Sequence, residues 1–252
     1  KNIKKNYKIQ NKDIILKRFA SKSSSFSKDV LVGSITKKAI QKEEILNDGN
    51  IIPKNKIAAV IACRVDSTRL FAKPLQSVGG KPILEHIINQ LKKCESIDEI
   101  ILAISENKGN EKFIQFAKIN RIKYIVGDDF DVLKRMINGA EYVNANIVLR
   151  VTSEDPIKYF VGIDSAIQKH INGKFDYSQC IDQLPEGTGF EIINLDALKK
   201  SHKLRKKKHK SELVTSYINE NRKKFDIQNI QISKNVKKPN IRLTVDNPED
   251  LI

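Results

Sequence analysis

The chain has 252 residues, 40% of them apolar, which suits one α/β domain with or without a small appendage and excludes wholesale disorder. Its 46 Lys and Arg against 30 Asp and Glu give a net charge of +16, favouring an anionic partner such as a nucleotide, an acidic sugar or nucleic acid. That charge is diffuse, and few aromatics interleave with the lysines, which argues against nucleic acid. Cys63, Cys94 and Cys180 lie far apart without metal spacing and read as reduced thiols of a cytoplasmic protein. No apolar run approaches bilayer length and the lysine-rich start lacks a hydrophobic segment, so neither a membrane partner nor a signal peptide is expected. Beginning at Lys1 and ending at Ile252, the sequence reads as a piece of a longer chain.

Residues 1–55 are basic, rich in Ser and Asn, and carry only short apolar runs. From residue 56 the texture changes. Residues 56–63 (KIAAVIAC) form a continuous apolar run suited to a buried parallel strand. Residues 82–94 place Ile83, Leu84, Ile87, Ile88 and Leu91 at helical spacing behind Pro82. A strand over 99–104, a helix over 110–119, a short strand over 123–126, a helix over 131–143 and a strand over 145–151 follow. Further on, helices are expected near 162–171 and 195–202, and strands near 175–180 and 189–193. Residues 211–224 read as helix, 225–232 as extended, and 241–245 as a final core strand. Alternating β and α segments predict a three-layer, Rossmann-like α/β domain over 56–252, with a mostly parallel central sheet and helices on both faces.

The loop leaving the first strand, residues 62–75 (ACRVDSTRLFAKPL), packs Arg64, Ser67, Thr68, Arg69 and Lys73 into a dozen positions. Ligands of open α/β sheets bind at the carboxyl ends of strands. A triphosphate needs such a set: guanidinium forks, a lysine point charge, hydroxyls and backbone amides. The loop is neither a Walker loop nor a G-x-G-x-x-G turn. Spacing alone leaves open the alternative of a solvated surface loop.

The loop resembles the ARxxSTRLPxKPL signature of sugar nucleotidyltransferases, and Gly79, Gly80, Lys81 and Pro82 supply its GGKP sequel. The relatives are acylneuraminate and 3-deoxy-manno-octulosonate cytidylyltransferases and spore-coat polysaccharide biosynthesis F-type proteins. Residues 126–136 (VGDDFDVLKRM), 148–156 (VLRVTSEDP), 186–198 (EGTGFEIINLDAL), 211–218 (SELVTSYI) and 242–251 (RLTVDNPEDL) are similar to further family segments. The resemblance covers roughly residues 56–252. It implies transfer of a nucleoside monophosphate, CMP from CTP in first place, to an acidic sugar such as a nonulosonic acid, releasing pyrophosphate, in surface polysaccharide or glycoconjugate synthesis. It also implies that Ala62, Arg64, Ser67, Thr68, Arg69 and Lys73 bind the nucleotide, with Arg64, Arg69 and Lys73 stabilising departing pyrophosphate, and that Gly187 and Glu191 face the sugar. A homodimer is compatible with it.

Carboxylates close two of the expected core strands: Glu154 and Asp155 after one, Asp246 after the other. Mg²⁺ takes hard oxygen ligands, and both strand ends would share the edge that carries Arg64 and Lys73, so a metal site can form there. The resemblance implies the same site, with Asp246 as one ligand and Glu154 or Asp155 as another, because the family's G-D-C-P is S-E-D-P here. The bland alternative is a turn at Glu154 and Asp155 and a helix cap at Asp246.

Asp66, Phe71 and Leu213 depart from the family pattern, where a small residue, Pro and His are usual. They keep two alternatives in view: guanylyl or other nucleotidyl transfer to a sugar phosphate, and an inactive homologue acting as a basic nucleic-acid-binding or scaffolding module. The run 199–210 (KKSHKLRKKKHK) reads as a solvated helix end or loop, and metal binding by its His202 and His209 is set aside for want of a supporting carboxylate or cysteine nearby. Residues 30–52 partly resemble the SAF, antifreeze-like module that ends sialic-acid synthases, which implies fusion to a sugar-acid synthase. The alternative for 1–55 is a disordered basic linker.

Overall fold

A computed structural model describes residues 1–16, 28–47, 49–65, 70–180, 183–209 and 212–251, and the chain divides into two units, Lys1–Lys56 and Ile57–Ile252. In the first unit a short helix α1 (Lys28–Leu31) precedes two short antiparallel strands, β1 (Ile35–Thr36) and β2 (Ile51–Ile52). Isolated bridges join Ile3 to Ile40 and Lys8 to Ile35, and Ile9, Leu31 and Ile51 form a small buried core. The described residues of 1–56 thus carry short β segments around a small buried core. Buried Thr36 ties it together, its hydroxyl donating to Lys4 O at 2.7 Å and accepting from Tyr7 N at 2.9 Å.

The second unit is built on a seven-stranded sheet. Its strands are β3 (Ile57–Cys63), β6 (Glu99–Ser105), β7 (Lys123–Gly127), β8 (Ile147–Arg150), β9 (Tyr177–Cys180), β10 (Phe190–Asn194) and β11 (Ile227–Asn229). A small hairpin, β4 (Ser77–Val78) with β5 (Lys81–Pro82), stands apart. The spatial order is β11-β9-β10-β8-β3-β6-β7. Only β10 runs antiparallel to its neighbours, so β3, β6, β7 and β8 form a parallel block with their carboxyl ends together.

β3 shows why the sheet sits centrally. Its side chains alternate between two buried cores, as a period of two requires. Ala59, Ile61 and Cys63 pack with helices α2 (Ile83–Leu91), α3 (Glu111–Ile119) and α5 (Ile163–Gly173). Ala58 and Val60 pack with α4 (Val132–Tyr142), α6 (Leu195–Leu204) and α7 (Ser216–Glu220) on the opposite face. Asp131 starts α4 as expected, its side chain accepting from Lys134 N at 2.9 Å.

Two expected elements are corrected. Of the described residues 212–224, only α7 is α-helical, followed by a 3₁₀ turn at Arg222–Lys224. The preceding stretch is held against the sheet instead, with Val214 buried and Thr215 Oγ1 donating to Glu191 at 2.8 Å. Residues 241–245 form no strand beyond a single bridge from Arg242 to Glu186. Two backbone bonds flank it, Glu186 N to Ile241 O and Leu243 N to Glu186 O. The ladder stops because its partner segment turns away at Gly187, whose φ of +91° is a glycine conformation.

Candidate functional site

The carboxyl ends of β3 and β8 open into a cavity of about 620 Å³. Ala62 and Cys63 border it from β3, Arg64, Phe71, Lys73 and Pro74 from the following loop, Arg150 from the end of β8, and residues 151–154 from the segment after it. Val132, Arg135 and Met136 of α4 close one side, and Glu212 sits at another. Ser67, Thr68 and Arg69, with Asp66, lie outside the described residues.

Lys73 is buried although it borders the cavity, and its ammonium meets Asp246 at 2.9 Å. Ala72 before it adopts the left-handed region (φ 46°), a conformation that costs a non-glycine residue energy and marks a constrained turn. The other oxygen of Asp246 accepts from Arg242 at 3.1 Å and from Thr244 at 3.2 Å. Asp250 fixes this tail in turn, accepting from the backbone N–H of Asp246 and of Asn247.

The two acidic candidates after β8 have different surroundings. Glu154 borders the cavity and accepts from Ser153 Oγ at 3.0 Å. Asp155 is buried, takes the Thr152 hydroxyl, and pairs with Lys158 at 3.3 Å. The Lys158 ammonium also reaches Thr152 Oγ1 at 2.5 Å and Gly187 O at 2.8 Å. Burial pulls the Lys158 ammonium below its usual value, and Asp155 opposes that pull. Asp155 and Lys158 thus brace Gly187, where a Cβ would fall 2.8 Å from Thr244 Cγ2 and 3.1 Å from Asp155 Cγ.

Glu191 stands behind the cavity wall instead of on it. It is 2% exposed and accepts from Arg150, from Tyr177 OH at 2.5 Å and from Thr215 Oγ1 at 2.8 Å. Burial alone would raise its carboxyl, but Arg150 and the two hydroxyls hold it below the usual carboxylate range. What reaches the cavity is Arg150, its partner in the β8–β10 ladder.

Arg64 forms an ion pair with Glu212, whose side chains are 39% and 68% exposed, so the pair is solvent-screened and open to exchange. Arg135 is almost fully buried and donates to the carbonyls of Asp128 (2.5 Å), Asp129 (2.9 Å) and Ala103 (3.4 Å). Burial lowers its guanidinium from the ordinary value, and Arg64 adds to that against the pull of Asp129. Arg135, Arg150, Lys158 and Glu212 were not assigned roles by sequence reasoning. The available signal was a charged residue ending or following an apolar run, as Arg150 does after Ile147, Val148 and Leu149.

Of the departures, Phe71 is half exposed on the cavity wall with Lys112 Nζ 5.0 Å from its ring centre, and Leu213 is exposed beside Glu212. The basic run beyond 199 is largely fastened to the domain. Lys199 pairs with Glu141, Arg205 with Asp131, and Lys200 stands 4.5 Å over the Phe225 ring. His202 and His209 do have carboxylates nearby in space, Asp131 at 3.3 Å and Glu220 at 3.0 Å, correcting the expectation of isolated histidines.

Among the described residues no three His, Cys, Asp or Glu side chains converge as a ready-made metal cage. Glu154 and Asp246 are hard oxygen donors, and burial pushes the Cys63 thiol far above its ordinary value, which removes a soft thiolate. Carboxylate oxygens of this kind suit Mg²⁺, which takes one or two of them and completes its shell from phosphate oxygens and water.

The sequence pattern of the family described as cytidylyltransferase matches residues 58–251. The chain belongs to the cytidylyltransferase family. It is 30% identical over 195 residues to an uncharacterized protein of Methanocaldococcus jannaschii, covering 77% of this chain and 80% of that one. It is 24% identical to the spore coat polysaccharide biosynthesis protein SpsF of Bacillus subtilis, covering 78% of this chain and 83% of SpsF. In fold it is similar to a cytidylyltransferase structure from Leptospira borgpetersenii, with a TM-score of 0.73, 23% identity, and coverage of 78% and 84% of the two chains. This cytidylyltransferase-family enzyme has, among its described residues, no helix long and apolar enough to cross a membrane.

Proposed function

We propose that this enzyme transfers CMP from CTP to an acidic sugar of the nonulosonic or octulosonic type, releasing pyrophosphate, in the cytoplasm. The observation that carries the reading is the Lys73–Asp246 pair at a cavity bordered by Arg64 and Glu154. Cations and carboxylate oxygens at the carboxyl edge of a parallel sheet, where ligands of such sheets bind, support the reading.

The transfer needs a hydroxyl oxygen of the sugar to attack the α-phosphorus while the bond to the pyrophosphate oxygen breaks and the hydroxyl proton passes to solvent. Arg64 and Lys73, with Ser67, Thr68 and Arg69 of the same loop, bind the triphosphate, and Arg64, Arg69 and Lys73 neutralise the charge that grows on departing pyrophosphate. Asp246 holds the Lys73 ammonium in place. Gly187, braced by Lys158 and Asp155, shapes the sugar side. Glu154 and Asp246 would hold Mg²⁺, which when bound supplies charge neutralisation at the α-phosphate.

The test is pyrophosphate release with CTP and Mg²⁺ in the presence of 3-deoxy-manno-octulosonate or N-acetylneuraminate. Release that requires both CTP and a sugar acid supports the reading. Equal release with GTP and a neutral sugar phosphate would overturn it.

A further inference from the structure

Among the cavity's cations, Arg150 is the one clamped from behind by a buried acid. It ends β8, and Glu191 stands opposite it in the antiparallel ladder with β10. Removing an ion pair from water carries a desolvation penalty that a well-packed apolar pair would avoid, so stability alone does not account for it. Glu191 is saturated by Arg150, Tyr177 and Thr215, all from within the protein. Arg150 is not saturated. Nη1 is committed to Glu191, Nη2 has only a long 3.5 Å contact to Glu212 O, and among the described residues no acceptor meets Nε. Its side chain is 20% exposed while that of Glu191 is 2% exposed, so the accessible part of the pair is the guanidinium bordering the cavity. A planar fork held rigid with N–H groups to spare is preorganised for the paired oxygens of a carboxylate or a phosphate.

Two anions enter the proposed reaction, and position separates them. The triphosphate has its cations on the loop after β3, at Arg64 and Lys73. Arg150 belongs to the next strand, close enough to Glu154 to feel its charge, and its clamp lies in the strand that follows the Gly187 turn. We propose that Arg150 binds the carboxylate of the acidic sugar acceptor, with Glu191, Tyr177 and Thr215 as positioning residues that fix the guanidinium. The assignment rests on the sugar-acid reading above, and it makes Arg150 the residue that distinguishes a sugar acid from a neutral sugar.

The test compares a sugar acid, 3-deoxy-manno-octulosonate or N-acetylneuraminate, with its methyl ester as acceptor. Wild-type enzyme is expected to prefer the acid by roughly 100-fold in kcat/KM, the size of a charge-assisted pair of hydrogen bonds. R150M alone would strand the buried Glu191 charge, so the decisive variant is R150M/E191Q, which removes both charges together. It should bring the acid-to-ester ratio to within about 3-fold through KM for the sugar, leaving the Kd for CTP unchanged, and R150K should recover part of the preference. An undiminished acid-to-ester ratio in the double variant, or a matching rise in its Kd for CTP, would overturn the assignment while leaving CMP transfer standing. Wild-type enzyme that binds CTP but uses no sugar acid would instead overturn the reading on which it rests.

Discussion

Lys73 and Asp246 are separated by 173 residues in the chain and meet at 2.9 Å, tying the loop after the first core strand to the tail of the domain. The contact joins the two sequence motifs most specific to the family, ACRVDSTRLFAKPL and RLTVDNPEDL. It gives Asp246 a double consequence when altered. Asp246→Ala should abolish turnover and also leave a buried ammonium without its partner, lowering stability by about 1–3 kcal/mol, below the fully buried case because the carboxylate is part exposed. Asp246→Asn should restore much of the stability but not the turnover. Urea denaturation alongside pyrophosphate release checks both, and an active Asp246→Ala enzyme would contradict the role.

Glu154 and Asp155 should separate cleanly. Glu154→Ala removes an acid bordering the cavity, so turnover should fall by at least about 100-fold with melting almost unchanged. Asp155→Ala strands the buried Lys158 and should lower stability by about 3 kcal/mol. The opposite pattern, stable and inactive for Asp155→Ala with Glu154→Ala active, would move the metal-ligand role to Asp155.

The Glu212 carboxylate occupies Arg64, one of the cations proposed above to bind the triphosphate. Glu212→Gln keeps the side-chain size while removing that competition. Its Kd for CTP should fall by about 3- to 10-fold at low salt, and the gain should shrink as salt screens the original pair. Titration calorimetry at two ionic strengths measures this, and weaker CTP binding would show that Glu212 supports the site rather than guarding it.

Asp131 provides a pH signature. Burial alone would raise its carboxyl, but Arg205, the Lys134 N–H and His202 together hold it at about 2. A depressed folded value means stability that is present above the unfolded value near 3.9 and lost as pH falls toward 2, roughly 2 kcal/mol in all. Asp131→Asn should therefore be less stable than wild type at pH 6, with the gap closing between pH 4 and pH 2. Denaturant midpoints across that range check it, and a gap independent of pH would assign the loss to the helix cap alone.

The sheet could be read from sequence because its core strands are continuous apolar runs and its helices are strongly periodic. Ile57–Cys63 and Ile83–Leu91 needed no tertiary information. The end of the domain was harder. Residues 241–245 carry a strand-like pattern, but whether a strand forms depends on a distant partner segment at Glu186 that bends at Gly187. In the site, Arg64, Lys73, Glu154 and Asp246 were legible as charges at expected strand ends, and the structure gathers them at one edge. Glu191 was expected to face the sugar, yet it sits behind Arg150, because sequence gives a residue's position on a strand without the cross-strand partner that covers it. The same limit hid the carboxylates beside His202 and His209.

The central claim, that the cavity is built for CTP, is tested most directly by thermal stabilisation with CTP, GTP, ATP and UTP, each with and without Mg²⁺. A rise in Tm confined to CTP, larger with Mg²⁺ and lost in Lys73→Ala, is the predicted result. Equal shifts with all four triphosphates, or none with any, would contradict it.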